Sequence, residues 1–248
     1  MINPLILALD VDAKDAKKII EELKSSVEIF KIGGRLFTEI GPPIVREIQS
    51  QKRKVFLDLK FHDIPLTVAE SCRNATRLGV WGLTIHVSGG FDMMKLAAET
   101  VQEESIKLGV KTPLIFGVTV LTSLSADDLR EVGIARSPLK QVQRLALLAK
   151  KSGIDGVVAS PNEIAAIRKV CQQNLLVMTP GIRSQKESGK DDQKRVMSAG
   201  QAMAAGANYL VVGRPILGAK NRAAAAQEFL KEIHQAHWQH GKKNGRKK

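Results

Sequence analysis

Eight short apolar runs recur along the whole chain, separated by stretches with helical periodicity. They are LILALD (5–10), IFKIG (29–33), KVFLDLK (54–60), GLTIHV (82–87), LIFGVTV (114–120), GVVAS (156–160), LLVMTP (175–180) and YLVVG (209–213). Near-continuous apolarity over so few residues marks strands buried on both faces, as in a parallel sheet covered by helices. The intervening stretches include AKDAKKIIEELKSS, PLTVAESCRNATRLG, DMMKLAAETVQEESIKLG, SPLKQVQRLALLAKKSG and NEIAAIRKVC, each amphipathic at helical spacing. Eight strand–helix units in 248 residues predict an α/β fold of the (β/α)8 TIM-barrel type. An open doubly wound sheet is the alternative. It needs a Gly-rich fingerprint after the first strand, and LALDVDAKDAKK carries none. No Gly/Ser/Pro-rich linker divides the chain. A single barrel domain over residues 1–238 is therefore expected, followed by a basic, disordered tail over 239–248.

The net charge is +13, and the last eight residues, GKKNGRKK, hold five of the cations. The remaining +8 suits an anionic substrate or a nucleic acid. Few aromatics interleave with the basic tail, so stacking on bases has no support and no nucleic-acid partner is expected. Cys72 and Cys171 lie far apart, with neither metal-ligand spacing nor a disulfide framework, which points to a reducing compartment. The opening MINPLILALDV lacks a basic leader and reads as a first strand rather than a signal peptide. No apolar run approaches the roughly 20 residues of a spanning helix. A cytoplasmic protein without membrane association is expected.

In a (β/α)8 barrel the active site lies at the C-terminal ends of the strands. Those ends carry Asp10, Lys31, Asp58 with Lys60, His86, Thr119 to Ser123, Ser160, Thr179 with Pro180, and Gly213 with Arg214. The third strand is the most informative, because it runs directly into DLKFHDIPLT (58–67). Alternation places Asp58 and Lys60 on the face of Phe56, an interior position, with Asp63 close behind. Charges on an inward face cost several kcal/mol each unless paired. Lys31, Asp58, Lys60 and Asp63 read as an alternating array that holds Lys60 as an aimed ammonium. The alternative is a purely structural ion-pair network. Asp63 could equally be a helix N-cap, with Pro65 in the first turn and Thr67 one turn further along the same face.

TPGIR (179–183) and VVGRP (211–215) follow the seventh and eighth strands, where such barrels commonly bind phosphate. Gly213 permits close backbone approach and Arg214 supplies a bidentate cation. The polar stretch SQKESGKDDQKR (184–195) is long for a barrel loop and reads as a lid reaching the ligand through Gln193, or as an ordinary solvated loop. Thr122 and Ser123 could meet a ring edge, or cap the helix near SADDLREV. His86 reads as a hydrogen-bonded support rather than a base. His62 is expected to point away from Lys60 by alternation. The spacing of His234, His237 and His240 gives only a weak suggestion of metal binding, since no carboxylate partner is evident.

Taken in order and spacing, ALDV (8–11), FKIGG (30–34), DLKFHDIP (58–65), HVSGG (86–90), VTVLTS (118–123), TPGIR (179–183), DQKRV (192–196) and VVGRP (211–215) resemble the bacterial-type orotidine 5′-monophosphate decarboxylases. The likeness runs from Leu5 to about Leu217. The family's activity would be conversion of orotidine 5′-monophosphate to UMP and CO2, the last step of UMP biosynthesis, with no cofactor and no metal. The resemblance implies that Lys60 protonates C6 and that Asp58 lies against the substrate carboxylate. Lys31 would bridge Asp58 and the ribose hydroxyls, with Asp10 on the ribose side. Thr122 would meet the pyrimidine, and Pro180, Arg183, Gln193, Gly213 and Arg214 would hold the rest of the nucleotide, chiefly its phosphate. Asp63, Ile64 and Thr67 would enter the neighbouring site of a homodimer. The D-x-K-x-x-D element is shared with metal-dependent sugar-phosphate enzymes, which are similar but place a carboxylate after the second strand to hold Mg²⁺. Lys31 stands there instead, and an ammonium repels a hard cation. A nucleic-acid-binding role driven by the basic tail is the rival from another class.

Overall fold

A computed structural model of the chain describes residues 3–183 and 197–245, the last nine by their backbone alone. In chain order the elements are β1 (Leu5–Ala8), α1 (Ala13–Leu23), β2 (Ile29–Gly33), α2 (Gly34–Ile40), α3 (Pro43–Ser50), β3 (Lys54–Phe61), α4 (Pro65–Arg77), β4 (Gly82–His86), α5 (Phe91–Leu108), β5 (Leu114–Val118), α6 (Ala126–Glu131) and α7 (Pro138–Ser152). There follow β6 (Gly156–Val158), α8 (Ile164–Cys171), β7 (Leu176–Pro180), β8 (Ile182–Arg183), β9 (Met197–Ser198), α9 (Ala199–Ala205), β10 (Tyr209–Val212), α10 (Arg214–Leu217) and α11 (Arg222–Gly245). The strands close into a parallel barrel in the order β1-β10-β7-β6-β5-β4-β3-β2, the (β/α)8 architecture expected from the eight apolar runs. Within it the chain packs as two compact units, residues 1–55 with 179–248, and residues 56–178.

In the first unit β1 pairs with both β2 and β10, and every residue of the three strands is buried. Helix α1 buries Ala16, Ile19, Ile20 and Leu23, one apolar stripe at helical spacing. Asp12 starts it by accepting from the Asp15 N–H at 2.9 Å. Two short strands absent from the sequence reading, β8 and β9, pair Ile182 with Met197 and Arg183 with Ser198. They are too short for any periodicity to reveal. Ser198 and Gln201 form a capping box that opens α9. The backbone of α11 stays helical to Gly245, so the boundary drawn at Trp238 falls inside a helix.

The second unit builds its core on Phe56, Trp81 and Phe116, whose rings meet edge to face at 6.1 and 5.7 Å from Phe56. Gly156 lets β6 pass this cluster: a Cβ there would stand 2.7 Å from both Leu176 O and Phe116 Cε1. Pro65 opens α4, which buries Val68, Ala69, Cys72, Ala75 and Thr76. Glu104 of α5, its side chain 2% exposed, receives Arg73 at 3.0 Å and Arg77 at 2.7 Å from α4. Most strands end one or two residues earlier than their apolar runs. Leu9–Asp10, Thr119–Val120 and Ala159–Ser160 thus belong to the loops that follow the strands.

Candidate active site

In the first unit, four residues gather around the end of β1. Lys31, the central residue of β2, reaches Asp10 Oδ1 with its Nζ at 3.1 Å. The lysine side chain is 10% exposed and the carboxylate 60%, so a buried cation is aimed at an open anion. Two glycines keep this corner clear. A Cβ on Gly33 would lie 3.2 Å from Lys31 Nζ and 3.5 Å from Asp10 Oδ1. One on Gly213 would touch Ala8 at 3.4 Å and approach Asp10 Oδ2 at 3.9 Å. Gly213 also caps α10, whose first residue, Arg214, is exposed. Arg183 is buried on β8, and Pro180 is half-buried at the end of β7. Thr179, fully buried beside Pro180, has a hydroxyl with no hydrogen-bond partner among the described residues. Gln193 and the lid stretch 184–195 lie outside the described residues, as do the His237 and His240 side chains.

In the second unit the chemistry collects at the end of β3. Lys60 Nζ pairs with Asp58 Oδ1 at 2.9 Å, the lysine 36% and the carboxylate 12% exposed. The backbone of Lys60 is left-handed, with φ of 52°. Lys52 and Gln172, the other non-glycine residues with positive φ among those described, sit just past helix ends; Lys60 alone lies in a strand. A side chain in that region costs roughly 1–2 kcal/mol. The β3–β4 ladder slips here: Leu57 faces Leu83 and Phe61 faces Ile85, so residues 58–60 all stand opposite Thr84. Thr84 fills the gap with its side chain. Its Oγ1 accepts from Lys60 N–H at 2.9 Å and donates to Asp58 Oδ1 at 3.0 Å. Thr84 escaped the sequence reading; the signal available was a single hydroxyl in the apolar run GLTIH.

The His62 ring lies 5.2 Å from that of His86. Burial above all, then His62 and the Lys60 ammonium, push the His86 pKa below its ordinary value, while Asp58 opposes them. Asp63 is exposed, and its Oδ1 accepts from the Ile64 N–H at 2.6 Å. The N-cap of α4 is Ile64, so the alternative reading of Asp63 as the cap does not hold. No ion pair of Asp63 occurs among the described residues; it, Ile64 and Thr67 all stand open to solvent. Thr122 is exposed after β5, and α6 is capped by Ser125 with Asp128, not by Thr122 or Ser123.

Among the described residues no group of three or more His, Cys, Asp or Glu side chains is placed to hold a metal. No described helix is long and apolar enough to cross a membrane. What the geometry offers is a cation at a strand end, pinned beside a desolvated carboxylate. In a second place a buried lysine meets an open aspartate next to glycine-lined space.

The family model for orotidine 5′-phosphate decarboxylase / HUMPS matches residues 3–229. A protein of Moorella thermoacetica named orotidine 5′-phosphate decarboxylase is 47% identical over 233 residues, covering 93% of this chain and 92% of its own. One of the same name from Syntrophotalea carbinolica is 46% identical over 230 residues, 92% of this chain and 94% of its own. Among solved structures, an orotidine 5′-phosphate decarboxylase from Lactobacillus acidophilus superposes with a TM-score of 0.83 at 34% identity, over 94% of this chain and 99% of that one.

Proposed function

The chain belongs to the orotidine 5′-phosphate decarboxylase / HUMPS family, and we propose that it converts orotidine 5′-monophosphate to UMP and CO2, the closing step of pyrimidine nucleotide synthesis. The observation that carries this reading is the Lys60–Asp58 pair at the end of β3. The reaction breaks the bond between C6 and the carboxylate. The electron pair stays on C6, CO2 departs, and a proton replaces it. Little in the pyrimidine ring delocalises that pair, so a preorganised cation is the means of stabilising it. Lys60 supplies the cation and then the proton. Asp58, held against the position of the leaving carboxylate, favours its departure.

Asp10 and Lys31 hold the ribose hydroxyls in the clear corner beside Gly33 and Gly213. Arg183, Gln193, Gly213 and Arg214 take the phosphate, Pro180 lines the nucleotide, and Thr122 meets the pyrimidine edge. Binding the phosphate, remote from C6, supplies energy that can be used at the reacting carbon. Asp63, Ile64 and Thr67 serve a neighbouring subunit in a homodimer. Their exposure supports this: Ile64 is 66% and the adjacent Leu66 64% exposed, a costly pair to leave in water. The free, buried Cys72 and Cys171 suit a reducing, cytoplasmic setting. Purified protein given orotidine 5′-monophosphate with EDTA present tests the reading. The orotate absorbance should fall at a rate set by enzyme concentration. No decay, or decay only when Mg²⁺ is restored, would favour the metal-dependent sugar-phosphate branch.

A further inference from the structure

We infer that Thr84 is a positioning residue for this reaction, holding Lys60 at both its backbone root and its ammonium tip; the inference rests on the decarboxylase reading above. The four groups form a closed circuit. Lys60 N–H donates to Thr84 Oγ1 at 2.9 Å, Thr84 Oγ1 donates to Asp58 Oδ1 at 3.0 Å, and Lys60 Nζ returns to that same Oδ1 at 2.9 Å. A hydroxyl has one proton. A backbone N–H can only donate and an ionised carboxylate can only accept, so that proton goes to Asp58 and both directions in the circuit are fixed.

Packing alone does not call for this hydroxyl. Thr84 is fully buried in β4, where a valine of nearly the same shape would fill the space. The ladder explains what the oxygen does. Three residues of β3 face the single residue Thr84, so the regular backbone pairing is interrupted between Leu57 and Phe61. The side chain of Thr84 takes the Lys60 N–H and so stabilises the left-handed backbone that aims the lysine. The other end of the hydroxyl orients the carboxylate with which the lysine pairs. Lys60 has a long, flexible stem, and preorganising it is the kind of contribution expected to act on the chemical step rather than on binding.

The test compares the variants T84V, T84A and T84S with the wild type. T84V should lower kcat and the single-turnover rate by about 10–100-fold, the scale set by loss of a hydrogen bond to a charged group. The KM for orotidine 5′-monophosphate and the Kd for UMP should stay within about threefold, because the ribose and phosphate contacts are untouched. T84S, which keeps the hydroxyl, should restore kcat to within about threefold of wild type. T84A is read in the same way where T84V does not fold. A kcat near wild type in either folded variant overturns the inference, as does a loss confined to KM. Failure of both to fold while T84S folds also counts against it, since the hydroxyl is then a requirement of the fold. Absence of turnover by the wild type refutes the decarboxylase reading itself and is told apart on that ground.

Discussion

Lys60 combines a left-handed backbone with a side chain that has Cβ, and this allows the strain at this residue to be measured apart from its charge. The perturbation is a pair of variants, Lys60→Ala and Lys60→Gly. Both remove the ammonium and leave Asp58, 12% exposed, without that partner, so this cost is common to the two and cancels. They differ in one Cβ. At φ of 52° an L side chain costs roughly 1–2 kcal/mol, which glycine avoids. Glycine loses roughly 0.4–1 kcal/mol more chain entropy on folding. Taken at the middle of each range, the balance favours Lys60→Gly by about 0.8 kcal/mol. For a chain of this size 1 kcal/mol moves Tm by about 2–4 °C. Lys60→Gly should therefore melt about 1–4 °C above Lys60→Ala in calorimetry of the ligand-free proteins, while neither retains appreciable turnover. At an ordinary extended position the order reverses, because only the entropy cost remains. Lys60→Ala melting above Lys60→Gly would refute the claim that the strand carries strain at Lys60, and retained turnover in either would remove the proposed role of Lys60 in the chemistry.

Three further outcomes are expected. Arg214→Ala should raise the KM for orotidine 5′-monophosphate by roughly 10–100-fold through loss of a charge-assisted phosphate contact, and an unchanged KM would argue against the phosphate assignment. Mixed dimers of Lys60→Ala and Asp63→Ala subunits should recover part of the activity that each lacks alone; no recovery on mixing argues against shared sites. The Arg77 guanidinium, and then that of Arg73, hold the Glu104 carboxyl below its ordinary 4.5. A depressed folded-state pKa gives stability that is present above about 4.5 and lost as pH falls through the lower folded value. The urea midpoint should therefore drop more steeply below pH 4.5 in the wild type than in Glu104→Gln, and parallel profiles would remove the α4–α5 ion pairs from the acid response.

The barrel was legible because its strands are buried on both faces. A run such as YLVVG carries no charged residue for a solvent face, and a sheet of that kind must be covered by helices. What periodicity could not supply was the handover at each strand end. Leu9 and Ala159 still donate to Lys31 O and Met178 O of the neighbouring strands, yet Asp10 and Ser160 beyond them already belong to the loops, a handover that hydropathy does not mark. The β8–β9 pair of two residues each was invisible for a related reason: two residues cannot show a period. At the candidate site, position at a strand end was enough to select Asp10, and residue type to select Lys31, Asp58 and Lys60, because charges in strands this buried are expensive and therefore few.

The means by which those charges are arranged was hidden, and the reason lies in β3. Alternation gave the correct pairing of Asp58 with Lys60 but from a premise the backbone does not obey. A regular strand would place the two side chains on one face with Lys60 N–H directed along the ladder. The observed strand slips by two residues against β4, turns left-handed at Lys60, and gives its amide to a side chain. Just beyond the turn, the His62 ring lies 5.2 Å from that of His86. A local rule that fails at one lysine in an otherwise regular strand marks the place where the fold accepts strain, and strain of that kind persists only where surrounding contacts over-determine it. Here the contacts are the Thr84 hydroxyl and the Asp58 carboxylate, both engaged with Lys60 itself. The departure from regular strand geometry and the preorganisation of the Lys60 ammonium are thus one structural feature, and a chain relieved of the first should lose the second.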